Sequence, residues 1–67
     1  MTHYTSELIE NEVLLAMDSN SLLDVEMAVQ KICPLCRKDG VNDEQVRTAL
    51  INAAMHRGAG IILARAR

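Results

Sequence analysis

Phenylalanine and tryptophan are missing from the 67 residues, and the only tyrosine is Tyr4. A core built from this chain must therefore be aliphatic, and the flat side chains that stack on bases or sugars are almost lacking. Cysteine occurs twice, too rarely for a disulfide framework. The longest unbroken apolar run, Val13-Leu14-Leu15-Ala16-Met17, falls far short of the roughly 20 residues of a membrane-spanning helix. No Lys or Arg precedes Lys31, and Glu7, Glu10 and Glu12 stand where a secretory signal would carry bases followed by an apolar block. A cytoplasmic protein without a membrane partner is expected. Repeats and low-complexity stretches are absent.

What the chain does have is 49% apolar residues, enough for a packed core and too many for wholesale disorder. A length of 67 residues allows one domain, residues 1–67. Folding would remove roughly 6,500 Å² from water. At ~25 cal/mol per Å², with about 60% of it apolar, that contributes on the order of 100 kcal/mol. Ordering the backbone and side chains costs about the same. A monomer is left with little margin, so a homo-oligomer, a dimer first, is expected.

Three helices can be read. Ser6–Asp18 follows a cap at Thr5 or Ser6, with Glu7 and Glu10 near the positive end of the helix dipole. Ser19-Asn20-Ser21 breaks the pattern, and Ser21 with Asp24 offers a capping box for a second helix running to about Ile32. Pro34 is expected to end that helix and to lead into a loop over Leu35–Val41, with Asp39-Gly40 as its turn. Asn42 and Gln45 form a second capping box, opening a helix that holds through Arg57. Gly58-Ala59-Gly60 interrupts, and residues 61–67 are read as a short fourth helical element, with helix continuation or an edge strand as alternatives. The fold class is all-α: a small bundle of three helices plus a C-terminal helical element, completed by dimerisation.

Each helix has an apolar stripe and apolar residues to spare. The main stripes are Leu22, Val25, Val29 and Ile32 on the second helix, and Val46, Ala49, Leu50 and Ala53 on the third. The first helix has a broad face of Leu8, Ile9, Val13, Leu15, Ala16 and Met17, with Glu12 at its edge. Leu14, Leu23, Met27, Ile51 and Met55 fall outside these stripes and are the expected oligomer or partner interface. Charge is sorted along the chain. Residues 1–30 hold six acids and no base, and residues 31–67 hold seven bases against Asp39, Asp43 and Glu44. Such asymmetry suits packing of the acidic half on the basic half, within or between chains, or two separately solvated surfaces.

Cys33-Pro34-Leu35-Cys36, followed by Arg37-Lys38, resembles the CPxC knuckles of zinc ribbons and RING-type fingers. The resemblance covers four to six residues and implies a metal pair, Cys33 and Cys36. Those families need a second ligand pair, which here could come only from His3 and His56 or from another copy. The alternative is two thiols packed as small hydrophobes, with no metal and no cofactor. A redox dithiol is disfavoured, because the motif follows a helix rather than a strand. His56 suits the negative end of the third helix, and Tyr4 is expected to clamp the N-terminus. No catalytic triad, phosphate loop or convergent carboxylate pair can be assembled, so the expectation is not an enzyme.

A net charge of −2 argues against generic nucleic-acid binding. A basic surface of Arg47, Arg57, Arg65 and Arg67 could still touch phosphates, but it releases few counterions. The second and third helices are also separated by too long a connection for a helix-turn-helix. The expectation is a small cytoplasmic protein–protein interaction module (adaptor, modulator or inhibitor) of the size of bacterial or phage accessory proteins. A DNA-binding helical dimer is the runner-up, and a zinc-stabilised module is third.

Overall fold

The computed structural model describes residues 3–62, and helical turns of one kind or another cover 77% of them. The order is α1 (His3–Asp18), β1 (Leu23–Asp24), α2 (Val25–Ile32), a 3₁₀ segment (Cys33–Asp39), α3 (Asp43–Arg57) and β2 (Ile61–Ile62). Ile9 and Val13 of α1, Leu23 of β1, Val25, Ala28, Val29 and Ile32 of α2, Cys36, and Val46, Leu50 and Ala54 of α3 form one aliphatic core.

Helix α1 is already formed at His3, so Thr5 lies inside it rather than capping it. The reason is tertiary. Thr5 is fully buried, and its hydroxyl donates to the Asp39 carboxylate at the far end of the 3₁₀ segment. Tyr4, expected to clamp the N-terminus, is exposed. Helix α1 ends with Asn20 at a φ of 59°. The Ser21 N–H donates to Ala16 O at 2.9 Å and the Asn20 N–H to Met17 O at 3.0 Å, the paired bonds of a left-handed helix cap. Helix α3 ends the same way. Gly58 has a φ of 73°, the Ala59 N–H donates to Ala54 O at 2.8 Å, and the Gly58 N–H donates to Met55 O at 3.2 Å.

After these two matching ends the chain is extended in both places. Strand β1 pairs with β2 in parallel, Leu23 opposite Ile61 and Asp24 opposite Ile62, and the Leu23 N–H donates to Gly60 O at 2.9 Å. The crossover between these parallel strands is everything from α2 to α3, well above the dozen residues such a connection needs. Two expectations change here. Ile61 and Ile62 are strand rather than helix, because Gly58 caps α3 and the exit of α1 offers a backbone partner; residues 63–67 lie outside the described residues. The cap of α2 is Asp24 and not Ser21, since β1 occupies the intervening positions and Asp24 Oδ1 accepts the Met27 N–H at 3.2 Å.

The connection between α2 and α3 is not a loop. Pro34 sits in the first turn of the 3₁₀ segment, where its missing N–H costs nothing. Three residues per turn then place every third side chain on one ridge. Cys33, Cys36 and Asp39 face inward, half-buried, buried and half-buried, while Pro34, Leu35, Arg37 and Lys38 are exposed. Gly40, at a φ of 70°, ends the segment. The Asn42–Gln45 capping box of α3 is present as expected.

The charge sorting is satisfied within the chain. Glu12 of α1 meets Lys31 of α2 at 3.2 Å. Glu26 of α2 receives Arg47 of α3 through both oxygens, at 2.6 and 3.0 Å. Glu10 of α1 meets Arg57 of α3 at 2.6 Å. Every pair of helices thus carries one acid-to-base bridge.

The capping assignment is testable by urea denaturation. Asp24→Ala should lower stability by about 1 kcal/mol, whereas Ser21→Ala should change it by less than about 0.5 kcal/mol. The reverse order would return the cap to Ser21.

Candidate functional site

The residue types that carry chemistry do not converge. Cys36 is buried in the core, and the half-buried Cys33 donates its S–H to Asp43 Oδ1 at 2.8 Å. The Asp43 carboxylate, by accepting that hydrogen, raises the Cys33 pKa; desolvation and the like charge of the carboxylate push the same way. Such a thiol is a poor nucleophile. His3 stands 3.6 Å from Glu7 at the exposed start of α1, and His56 is exposed in the last turn of α3. Among the described residues no group of three or more His, Cys, Asp and Glu is arranged to hold a metal ion. The two cysteines therefore read as a packed residue and a hydrogen-bonded neighbour.

The expected basic surface is largely committed elsewhere. Arg47 is held by Glu26 and by Glu44 on its own helix, and the Glu26 hydrogen bonds hold its guanidinium well above the ordinary arginine range. Arg57 is held by Glu10. Arg65 and Arg67 lie outside the described residues. A hollow of about 440 Å³ on the outer side of α3 includes Asp39, Glu44, Gln45, Thr48 and Asn52 in its wall. Asp39, Glu44 and Gln45 already serve Thr5, Arg47 and the Asn42 N–H.

The apolar surface is more distinctive. Leu15, Leu22 and Met27, each more than half exposed, line one hollow of about 230 Å³ between the end of α1, β1 and α2. Glu12, Asp24 and Lys31 stand in the same wall. Leu22 and Ser21 also border a second hollow, of about 330 Å³, which reaches Met17 and the Gly58-Ala59-Gly60 turn. One continuous surface runs from Met27 across Leu22 to Met17. Leu15, Leu22 and Met27 are thus grouped in one hollow rather than scattered singly over the surface.

Of the five residues expected at an interface, the exposed Met27 and the buried Leu23 line the first hollow. Leu23 is 4% exposed, a core residue, so its place in the interface set is corrected. Ile51 is half-buried and packs against the core. Leu14 and Met55 are exposed but do not line these hollows. Leu22, expected inside, is 58% exposed. The exchange of Leu22 and Leu23 has one cause. Helical periodicity was applied to two residues that are extended, where neighbouring side chains point to opposite faces. The Ser19-Asn20-Ser21 break was the available signal. Leu15 and Met17 were missed because the broad face of α1 is wider than its partners cover.

Comparison of the chain with models of protein families, with curated proteins and with solved structures finds no match. The class defined so far is a small, mostly helical domain of three α-helices. Among the described residues no helix is long and apolar enough to cross a membrane.

The Cys33 environment has a direct chemical consequence. At pH 8.5, alkylation of Cys33 by iodoacetamide should be several-fold slower than that of a cysteine in an unstructured peptide. Asp43→Asn should bring it back toward the free rate, and purified protein should carry no stoichiometric zinc. Free-thiol reactivity at Cys33, or one zinc per chain or per dimer removed only with unfolding, would contradict the assignment.

Proposed function

We propose that this chain is a non-enzymatic protein-interaction module, an adaptor, modulator or inhibitor, which works as a homo-oligomer and binds protein through the Leu15–Leu22–Met27 surface. The observation that supports the reading is that surface: three large aliphatic side chains side by side in one hollow, bordered by carboxylates and hydroxyls. An apolar centre with a polar rim is the usual anatomy of a protein interface. The scattered positions of the thiols, imidazoles and carboxylates favour the non-enzymatic reading. A cytoplasmic accessory protein of a bacterium or phage, with both cysteines reduced, fits the same picture.

The runner-up, duplex binding by a helical dimer, has less to draw on. Arg47 and Arg57 are engaged by carboxylates, and Asp43 and Glu44 occupy the first turn of α3, the end that would approach a groove. Phosphate contacts would fall to Arg37, Lys38, Arg65 and Arg67. The third reading, a zinc-stabilised module, lacks a ligand set among the described residues.

Sedimentation equilibrium at micromolar concentration should give a mass of at least two chains. Leu22→Lys should weaken that association at least tenfold, about 1.4 kcal/mol, while the variant's circular dichroism stays helical, since Leu22 is exposed. A folded monomer at those concentrations would overturn the oligomer. A shift of random duplex at micromolar protein, lost steeply with salt, would favour the DNA reading instead.

A further inference from the structure

The 3₁₀ segment turns the spacing of Cys33 and Cys36 into a register. With three residues per turn and a rise of about 2 Å per residue, residues three apart lie one above the other, their Cα atoms about 6 Å apart. Bridged cysteines have Cα atoms roughly 4.4–6.8 Å apart and side chains that do not point away from each other. Cys33 and Cys36 meet both conditions, since they stand one turn apart and share the inward ridge of the segment. Both are free thiols, and they are close enough that charge on Cys36 opposes ionisation of Cys33. Oxidoreductases need a first thiol of low pKa. Closing a bridge needs only two sulfurs within reach.

The two thiols differ in access. Cys33 is half-buried, whereas Cys36 is 1% exposed. A reagent from solvent therefore meets Cys33 first. The burial of Cys36 also keeps a second chain away from it, so the bond forms within one chain. Asp43 opposes the reaction. Its Oδ1 accepts the Cys33 S–H at 2.8 Å and so keeps Cys33 protonated, while the thiolate is the form that attacks. That hydrogen bond exists only while Cys33 carries its hydrogen, so it favours the reduced pair.

We propose that Cys33 and Cys36 are a modification site for oxidants of the disulfide class, closing into a bridge across one 3₁₀ turn, with the Asp43 carboxylate as the brake on the first step. In that step the Cys33 thiolate attacks one sulfur of a small disulfide, RSSR. The S–S bond of the reagent breaks, Cys33–S–SR forms, and the departing RS⁻ takes up a proton in place of the one Cys33 released. The Cys36 thiolate then attacks the Cys33 sulfur and displaces the second RS⁻, which is protonated in the same way. Two protein thiols are oxidised to one disulfide, and RSSR is reduced to two RSH. None of these three residues lines the hollows around Leu22, so the site does not depend on what those hollows bind.

Oxidised glutathione in excess at pH 8.5 is the probe, and intact mass with peptide mapping is the readout. Wild type should lose two hydrogens while its circular dichroism stays helical, with the bond mapped to Cys33 and Cys36 and reversed by dithiothreitol. Cys36→Ser should stop at one glutathione on Cys33. Cys33→Ser, which leaves the buried thiol in place, should react at least tenfold more slowly than wild type. Asp43→Asn should speed the loss of the two hydrogens several-fold. Wild type that keeps a glutathione on Cys33, that bridges between chains, or that loses two hydrogens only as its helical signal is lost would overturn the site. An Asp43→Asn rate equal to that of wild type would overturn the brake.

Discussion

The hydrogen bond from the Leu23 N–H to Gly60 O, and the two-residue parallel pairing it opens, set the remaining geometry. Helices α1 and α3 end in the same left-handed cap, and their exits lie side by side. Extending the chain there turns Leu23 into the core and Leu22 outward, and it brings Asp24 to the start of α2, where it caps the helix. The outward leucine lies over the neighbouring strand lead. A Cβ built on Gly60 would come within 2.5 Å of Leu22 Cδ2, so the absence of a side chain at Gly60 is what lets Leu22 lie where it does. A pairing of two residues therefore both closes the core and creates the hollow that distinguishes the surface.

The charges follow from the same packing. An acidic first half and a basic second half could have produced a dipolar exterior able to steer a partner. Instead α1, α2 and α3 are joined pairwise by Glu12–Lys31, Glu26–Arg47 and Glu10–Arg57. Exposed bridges contribute little energy each, but they fix which helix faces lie together, and they leave Arg37 and Lys38 as the cations without a bridge among the described residues.

Much of the fold was legible in the residues. The three helices, the Asn42–Gln45 capping box, the Val25–Val29–Ile32 and Val46–Leu50 stripes and the edge position of Glu12 all follow from local chemistry, which the tertiary structure obeys. Tertiary partners decided the rest. Thr5 looked like a cap because its distant partner, Asp39, could not be foreseen. Helix α2 does end at Ile32, ahead of Pro34, but the segment that follows is 3₁₀ rather than loop, because a 3₁₀ turn accommodates proline as readily as a loop does. Of the hollow's exposed apolar lining, Met27 was legible as a residue outside the main stripe. Leu22 and Leu23 differ by one position, and a switch from a 3.6-residue to a two-residue period reverses which of them is inside. That switch depends on β2, whose Ile61 pairs with Leu23 from 38 residues further on.

The central proposal is that the Leu15–Leu22–Met27 surface is where this chain meets protein. Amide ¹H–¹⁵N spectra recorded at about 20 µM and at about 1 mM test it most directly. Shift changes with concentration should cluster at residues 15–28, while the outer face of α3 around Thr48 and Asn52 stays unchanged. Spectra that do not change, or changes centred on Thr48 and Asn52, would contradict it.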